Sequence, residues 1–325
     1  MSAFLGAYIF LGKFKQFSIL KILIAYFHRY YRLTPLLAVI LYFSTYVIYP
    51  MTTGPYRQQI VQPDIENCKS YGWTVLLYIN IYYSLDKLTC FGWTWYLAND
   101  MQMFLILPWV LVLYRASKLA GTIFIVLLFA ANFACTFYLN FYYDAGAWSV
   151  IFNSNSNDFM KWMYIVPWVR ITPYLMGICL AIWYYNYKQI KDHNAKLKKN
   201  PDLKMIKPPE TGFGFKLFNF VENSAWMKWV LLLVGFGFTF YAVYGNYDFN
   251  KNLGQNWSKT GKAFYSGLDR FIFIAGLIMV LIPMFVGQLT WITVALSNSV
   301  FSAMAKVTYS VYLLHLVFIM VFAGS

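Results

Sequence analysis

Three basic side chains fall within one helical turn near the start of the chain, in Phe27-His28-Arg29-Tyr30-Tyr31-Arg32-Leu33-Thr34-Pro35. Residues three and four apart share a helix face, so Arg29 can converge with Arg32, and so can His28. Two chemistries suit such a cluster. Guanidinium forks match phosphate oxygens in bidentate fashion, which fits an anionic headgroup. Cations beside an apolar run also serve as a positive-inside anchor.

Other ionisable groups stand inside runs apolar enough to enter a bilayer. Asp100 lies seven residues past Trp93, ~10 Å along a helix, with Gln102 two residues on. An acid at that depth is costly unless it faces the bundle and is paired. Asp100 therefore marks either an internal polar site or an ion pair with a buried arginine. Arg170 stands between Pro167 and Pro173, which should break or kink their helix. Irregular backbone at membrane depth belongs inside protein or along a cavity, so Arg170 is a second cavity candidate, with a snorkelling side chain as the other reading. Asp269 and Arg270 open a further apolar run and, being adjacent, point in different directions. His315 sits in the middle of the last run.

Helices that cross a membrane must carry these groups. Of 325 residues 60% are hydrophobic and only 12% are charged, whereas soluble chains are about a quarter charged. The fold class is an all-α, polytopic integral membrane helical bundle, with length for about eight spanning helices of ~20 residues. Apolar runs at 33–49, 93–114, 119–141, 164–185, 226–247, 265–286 and 307–322 supply seven of them. The opening run of about eleven residues is short for a crossing and is not followed by a signal-peptide pattern. Residues 19–31 read as an amphipathic helix at the interface, with Ala25, His28, Arg29 and Arg32 opposite Leu23, Phe27, Tyr30 and Tyr31. One membrane domain spans 1–325, with an outer-side loop region at 51–92 and a basic cytoplasmic loop at 186–223. The formal charge of +14 falls in short blocks between apolar runs, which makes it a topology signal rather than a nucleic-acid footprint.

Placing the blocks around Arg29, Arg115 and Lys188 inside leaves Cys68, Cys90 and Asn256 outside. There the two cysteines, in loops that flank a short segment, can form a disulfide in an oxidising compartment; two free thiols are the other reading. No metal site is expected, since no nearby histidine completes a ligand set. Asn256-Trp257-Ser258 is a glycosylation sequon with meaning only on that side.

Five stretches, in order along the chain, read Tyr-Phe-His-Arg-Tyr-Tyr-Arg-Leu-Thr-Pro (26–35), Leu-Leu-Tyr-Ile-Asn (76–80, between Cys68 and Cys90), Trp-Tyr-Leu-Ala-Asn-Asp-Met-Gln (95–102), Pro-Trp-Val-Arg-Ile-Thr-Pro-Tyr-Leu-Met-Gly (167–177) and Val-Thr-Tyr-Ser-Val-Tyr-Leu-Leu-His (307–315). Together they resemble the acyltransferase 3 family, in particular its nose-resistant-to-fluoxetine-like branch. The resemblance implies a membrane protein that moves an acyl group, commonly acetyl from acetyl-CoA, onto a hydroxyl acceptor, with acyl-CoA as co-substrate and no covalent cofactor. It implies that Arg29 and Arg32, with His28 beside them, match the family's Arg-x-x-Arg motif at the donor site. The family's catalytic histidine lies in a first membrane helix, and this chain is expected to begin after it. His315 matches a family position at the last motif and is the remaining candidate base, a packing histidine being its commoner meaning. The alternative is an inactive member that acts as an accessory subunit of a larger membrane complex or binds a lipid or small molecule. A transporter would be expected to show an inverted repeat, and none is visible. Membrane lipids are partners in every case. The endomembrane system or plasma membrane is the expected location, ahead of the mitochondrial inner membrane.

Overall fold

The computed structural model describes residues 2–13, 18–83, 90–144, 160–199, 211–252 and 256–324. Its elements are helices: α1 (Ser2–Lys13), α2 (Ile19–Phe43), α3 (Arg57–Leu76), α4 (Trp95–Ala116), α5 (Lys118–Tyr143), α6 (Pro167–Lys199), α7 (Phe213–Asn223), α8 (Met227–Tyr244), α9 (Lys259–Phe285), α10 (Thr290–Leu296) and α11 (Ser299–Gly324), with short helical turns between some of them. No strand occurs among the described residues. Among the described residues, seven helical segments are long and apolar enough to cross a membrane: Ile19–Met51, Gly92–Ala116, Lys118–Tyr143, Lys161–Lys199, Met227–Lys251, Lys259–Phe285 and Ser299–Ala323. The protein is an integral, multi-pass, all-α membrane bundle. The expected eighth crossing is missing from this set, because α1 has 12 residues and rises only ~18 Å, against a hydrocarbon core of about 30 Å.

Two compact units form, one from residues 1–16, 106–164 and 168–295, the other from 17–105, 165–167 and 296–325. In the first, α9 packs along α8 and α5. Gly235 of α8 and Gly276 of α9 face one another so closely that a Cβ on either would lie 2.7 or 2.6 Å from the other's carbonyl oxygen. Small residues at a crossing allow such an approach, and van der Waals contact then replaces the hydrophobic drive that lipid cannot supply. α1 lies on Gly177 of α6, and Phe4 stacks 5.3 Å from Phe285. α7 is tied down by Glu222, which accepts from the Tyr187 hydroxyl at 2.9 Å and pairs with Lys191 at 2.6 Å. The bilayer-length face of α8, with Leu233, Phe236 and Phe240, is exposed and apolar, as a lipid-facing helix requires.

In the second unit α2, α3, α11 and the first turns of α4 share a core that includes Leu37, Leu41, Val61, Phe91, Leu313 and Val317. Two tyrosines of α11 lock it: Tyr309 donates to the Leu33 carbonyl at 2.9 Å and Tyr312 to the Trp93 carbonyl at 2.6 Å.

Four local expectations change. The amphipathic stretch 19–31 is not a separate interfacial helix, because α2 continues unbroken past Pro35. Ile22, Leu37, Ile40 and Leu41 form one buried stripe along it, and that burial outweighs the single backbone bond Pro35 removes. The outer-side region 51–92 contains α3, a 20-residue helix, rather than an open loop. Cys68 lies within that helix and only Cys90 is in a turn. The basic region 186–223 is helical at both ends, through Lys199 and from Phe213; its residues 200–210 lie outside the described ones.

Candidate functional site

Arg29 is placed by the buried stripe of α2, which turns the start of the Arg-x-x-Arg pattern toward α4. It forms an ion pair with Asp100, and its guanidinium carbon lies 4.3 Å from the centre of the Phe104 ring. Asp100 and Phe104 are four residues apart on α4 and so present one face. One turn earlier on α2, the Tyr26 hydroxyl donates to the Leu105 carbonyl at 2.6 Å. The two helices are thus antiparallel here and fastened at two levels. Of the two readings of Asp100, the ion pair is the one observed, and its arginine is the one that sequence had placed at the headgroups. Arg29 and Arg32 stand ten and thirteen residues beyond Ile19, ~15 and ~20 Å along the helix.

Arg32 and His28 do not share this burial. Both are exposed, about a quarter-turn or more round the helix from the stripe that faces α4. On a spanning helix an exposed cation must meet water, an anion or another protein segment, because hydrocarbon penalises it heavily.

Around this pair the polar side chains of α4 hold the neighbouring backbone. Gln102 donates to the Tyr78 carbonyl at 2.8 Å and accepts from the Tyr82 hydroxyl at 2.8 Å. Asn99 donates to the Ile165 carbonyl at 2.8 Å. Tyr78 has a left-handed backbone with φ of 59°, and its hydroxyl is 3.0 Å from that of Thr34. Burial raises the Tyr78 and Tyr82 phenols above their ordinary range. Gln102, expected at a cavity, is a bracket for the chain that enters α4.

His315 is exposed on α11, beside Trp93 at 6.5 Å between rings. Its Nδ1 lies 2.6 Å from the Tyr312 carbonyl. A carbonyl can only accept, so Nδ1 is the donor in this bond. Trp93 precedes Asp100 by seven residues, which sets His315 ~10 Å along α4 from the ion pair.

The other charged candidates belong to the first unit. Arg170 donates from Nε to the Tyr164 carbonyl at 2.7 Å and lies 4.4 Å from that ring. Arg270 donates to the Val169 and Met163 carbonyls at 3.0 and 2.9 Å. Asp269 accepts from the Arg270 amide at 2.6 Å, not from its own neighbour's guanidinium. Arg170, Asp269 and Arg270 lie within electrostatic range of one another. Helical structure breaks before Pro167, and Pro173 is carried inside α6. The two arginines take up carbonyls at that break, which is the satisfaction that broken backbone needs at membrane depth. They form a structural brace. Asn132 of α5 adds to it, bonded to the Trp168 carbonyl and the Thr172 hydroxyl.

Asp64 was not expected. It is 6% exposed inside α3, one turn before Cys68, whose disulfide to Cys90 brings residues 90 and 91 against the helix. Burial holds its carboxyl up at about 6, although hydrogen bonds from the Tyr49 hydroxyl and the Phe91 amide favour the charged form. Nothing marks it in the sequence, where it sits among polar residues. Asn256 is exposed in the turn before α9, and the Ser258 hydroxyl of its sequon caps that helix by accepting from the Gly261 amide at 3.1 Å. No group of metal-ligating side chains occurs among the described residues.

The family described as an acyltransferase domain matches residues 2–324 of the chain. The chain is also similar to nose resistant to fluoxetine protein 6 of Caenorhabditis elegans, 24% identical over 306 residues that cover 91% of this chain and 34% of that protein. The chain therefore spans about a third of the length of that curated relative. No solved structure matches.

Proposed function

The chain belongs to the acyltransferase 3 family, and from that premise we propose that it takes an acyl-CoA donor at the Arg29–Arg32 turn for transfer to a hydroxyl acceptor. The observation that carries this reading is Arg32, exposed on a membrane-spanning helix one turn from Arg29. A cation in that position needs an anion or water, and the phosphates of coenzyme A are suitable anions. His28 adds a third polar group on the same side. His315, whose Nδ1 donates to the Tyr312 carbonyl, would act on an acceptor hydroxyl through Nε2, and its level lies ~10 Å along α4 from Arg29. Endomembrane or plasma membrane is the proposed location.

A second reading is favoured by the Arg29–Asp100 pair itself. A family arginine already neutralised by a carboxylate suits an inactive, accessory member of a membrane complex or a lipid-binding protein.

Binding of radiolabelled acetyl-CoA to the purified chain in nanodiscs separates the two. The donor reading expects saturable binding that falls by at least about tenfold when Arg29 and Arg32 are both changed to Ala. An unchanged affinity in a double variant that still folds, or no binding by the parent chain, overturns it in favour of the accessory role.

A further inference from the structure

We infer that the two arginines of the turn divide the work: Asp100 and Phe104 are positioning residues that immobilise Arg29, and Arg32 is the side chain that first grips the donor phosphate. This rests on the donor reading above. The four groups belong to one compact unit, and their surroundings differ sharply.

Arg29 is held from two directions. The Asp100 carboxylate takes one edge of the guanidinium and the Phe104 ring covers a face at 4.3 Å. Its side chain is 17% exposed and that of Asp100 is 14% exposed. A half-buried ion pair in a spanning helix is strong against lipid, because neither charge can separate without meeting hydrocarbon. Release of Arg29 to follow a ligand would strand Asp100, so Arg29 stays where α4 places it. The Tyr26–Leu105 bond fixes the same helix pair a turn away and sets their register.

Arg32 meets no such restraint. It is exposed, has a long flexible stem and stands one turn from Arg29 on an adjoining face. A phosphate drawn to it comes under the field of Arg29, whose position is already paid for by α4. A paired Arg29 contributes orientation and residual field, and Arg32 contributes the full bidentate contact.

The test is a titration of the purified full chain in nanodiscs with coenzyme A, read as affinity across a salt series alongside the thermal midpoint. Arg32→Gln should lose about tenfold in affinity and much of its salt dependence, with the midpoint unmoved. Asp100→Asn should lose affinity about fivefold as Arg29 is set loose, and Asp100→Glu should recover most of it. If Asp100 only competed with the donor for Arg29, its neutral variant would bind coenzyme A more tightly, and that result, or an unchanged affinity, overturns the assignment. Should Asp100→Asn not fold, Phe104→Leu serves: it removes the ring from Arg29 and should cost about threefold in affinity, and no change there overturns the positioning role. Absence of coenzyme A binding by the parent chain defeats the donor reading and this inference with it, a result distinct from normal parental binding with unmoved variants.

Discussion

Asp64 is a carboxyl buried inside α3. Below pH ~4 the Asp64 carboxyl is protonated in the folded and unfolded chain alike, and it costs nothing. As pH rises the unfolded carboxyl ionises first, while the folded one resists until about 6, so stability falls across that window and stays reduced above it. Asp64→Asn keeps an acceptor for the Phe91 amide and removes the titration. It should raise the thermal midpoint at neutral pH, by up to about 3 kcal/mol of stability, and flatten the dependence of the midpoint on pH between ~4 and ~6. A variant whose midpoint still falls over that interval would assign the effect to another group. The pH profile of unfolding in detergent checks this without any ligand.

Between helices the decisive contacts are small. Gly235 and Gly276 bring α8 and α9 together, whereas nothing lies within 4 Å of a Cβ placed on Gly237 two residues along. Gly276→Ala should therefore destabilise by about 1–3 kcal/mol through forced separation, and Gly237→Ala should be neutral or stabilising by up to about 1 kcal/mol through helix propensity. Opposite signs for two identical substitutions in the same helix pair, read as thermal midpoints, isolate the crossing from general glycine effects. The membrane helices themselves were legible in sequence, since each is an apolar run with a polar boundary. Their ends were less so. The break expected between residues 31 and 33 does not occur, because the stripe from Ile22 to Leu41 buries enough to carry one helix through both stretches and past Pro35. α3 has no sequence signature of its own, because low apolarity and Pro63 hide a helix that is held by packing and by the Cys68–Cys90 bond. Asp100 was recognisable as a buried acid from depth alone; that its partner is Arg29 depends on how α2 and α4 align, which no local pattern encodes.

At the scale of the chain, the seven membrane-length helices among the described residues predict which connections share a side of the membrane. Four of them separate the disulfide-bearing connection from the turn at Asn256, so both emerge on one side, and three separate it from the basic connection after Lys199. Single cysteines introduced at Asn256 and Lys196, in a chain whose Cys135 and Cys179 are replaced, should react with an impermeant maleimide from opposite faces of sealed vesicles. Equal access from one face would remove a crossing from the bundle. The ion pair of Arg29 and Asp100 also bears on how the protein is made. α2 leaves the ribosome with His28, Arg29 and Arg32 before Asp100 exists, so for the time needed to synthesise about seventy more residues the Arg29 charge lacks its native carboxylate. Completion of α4 is the step at which that charge gains its native partner, so α2 and α4 mature as a pair.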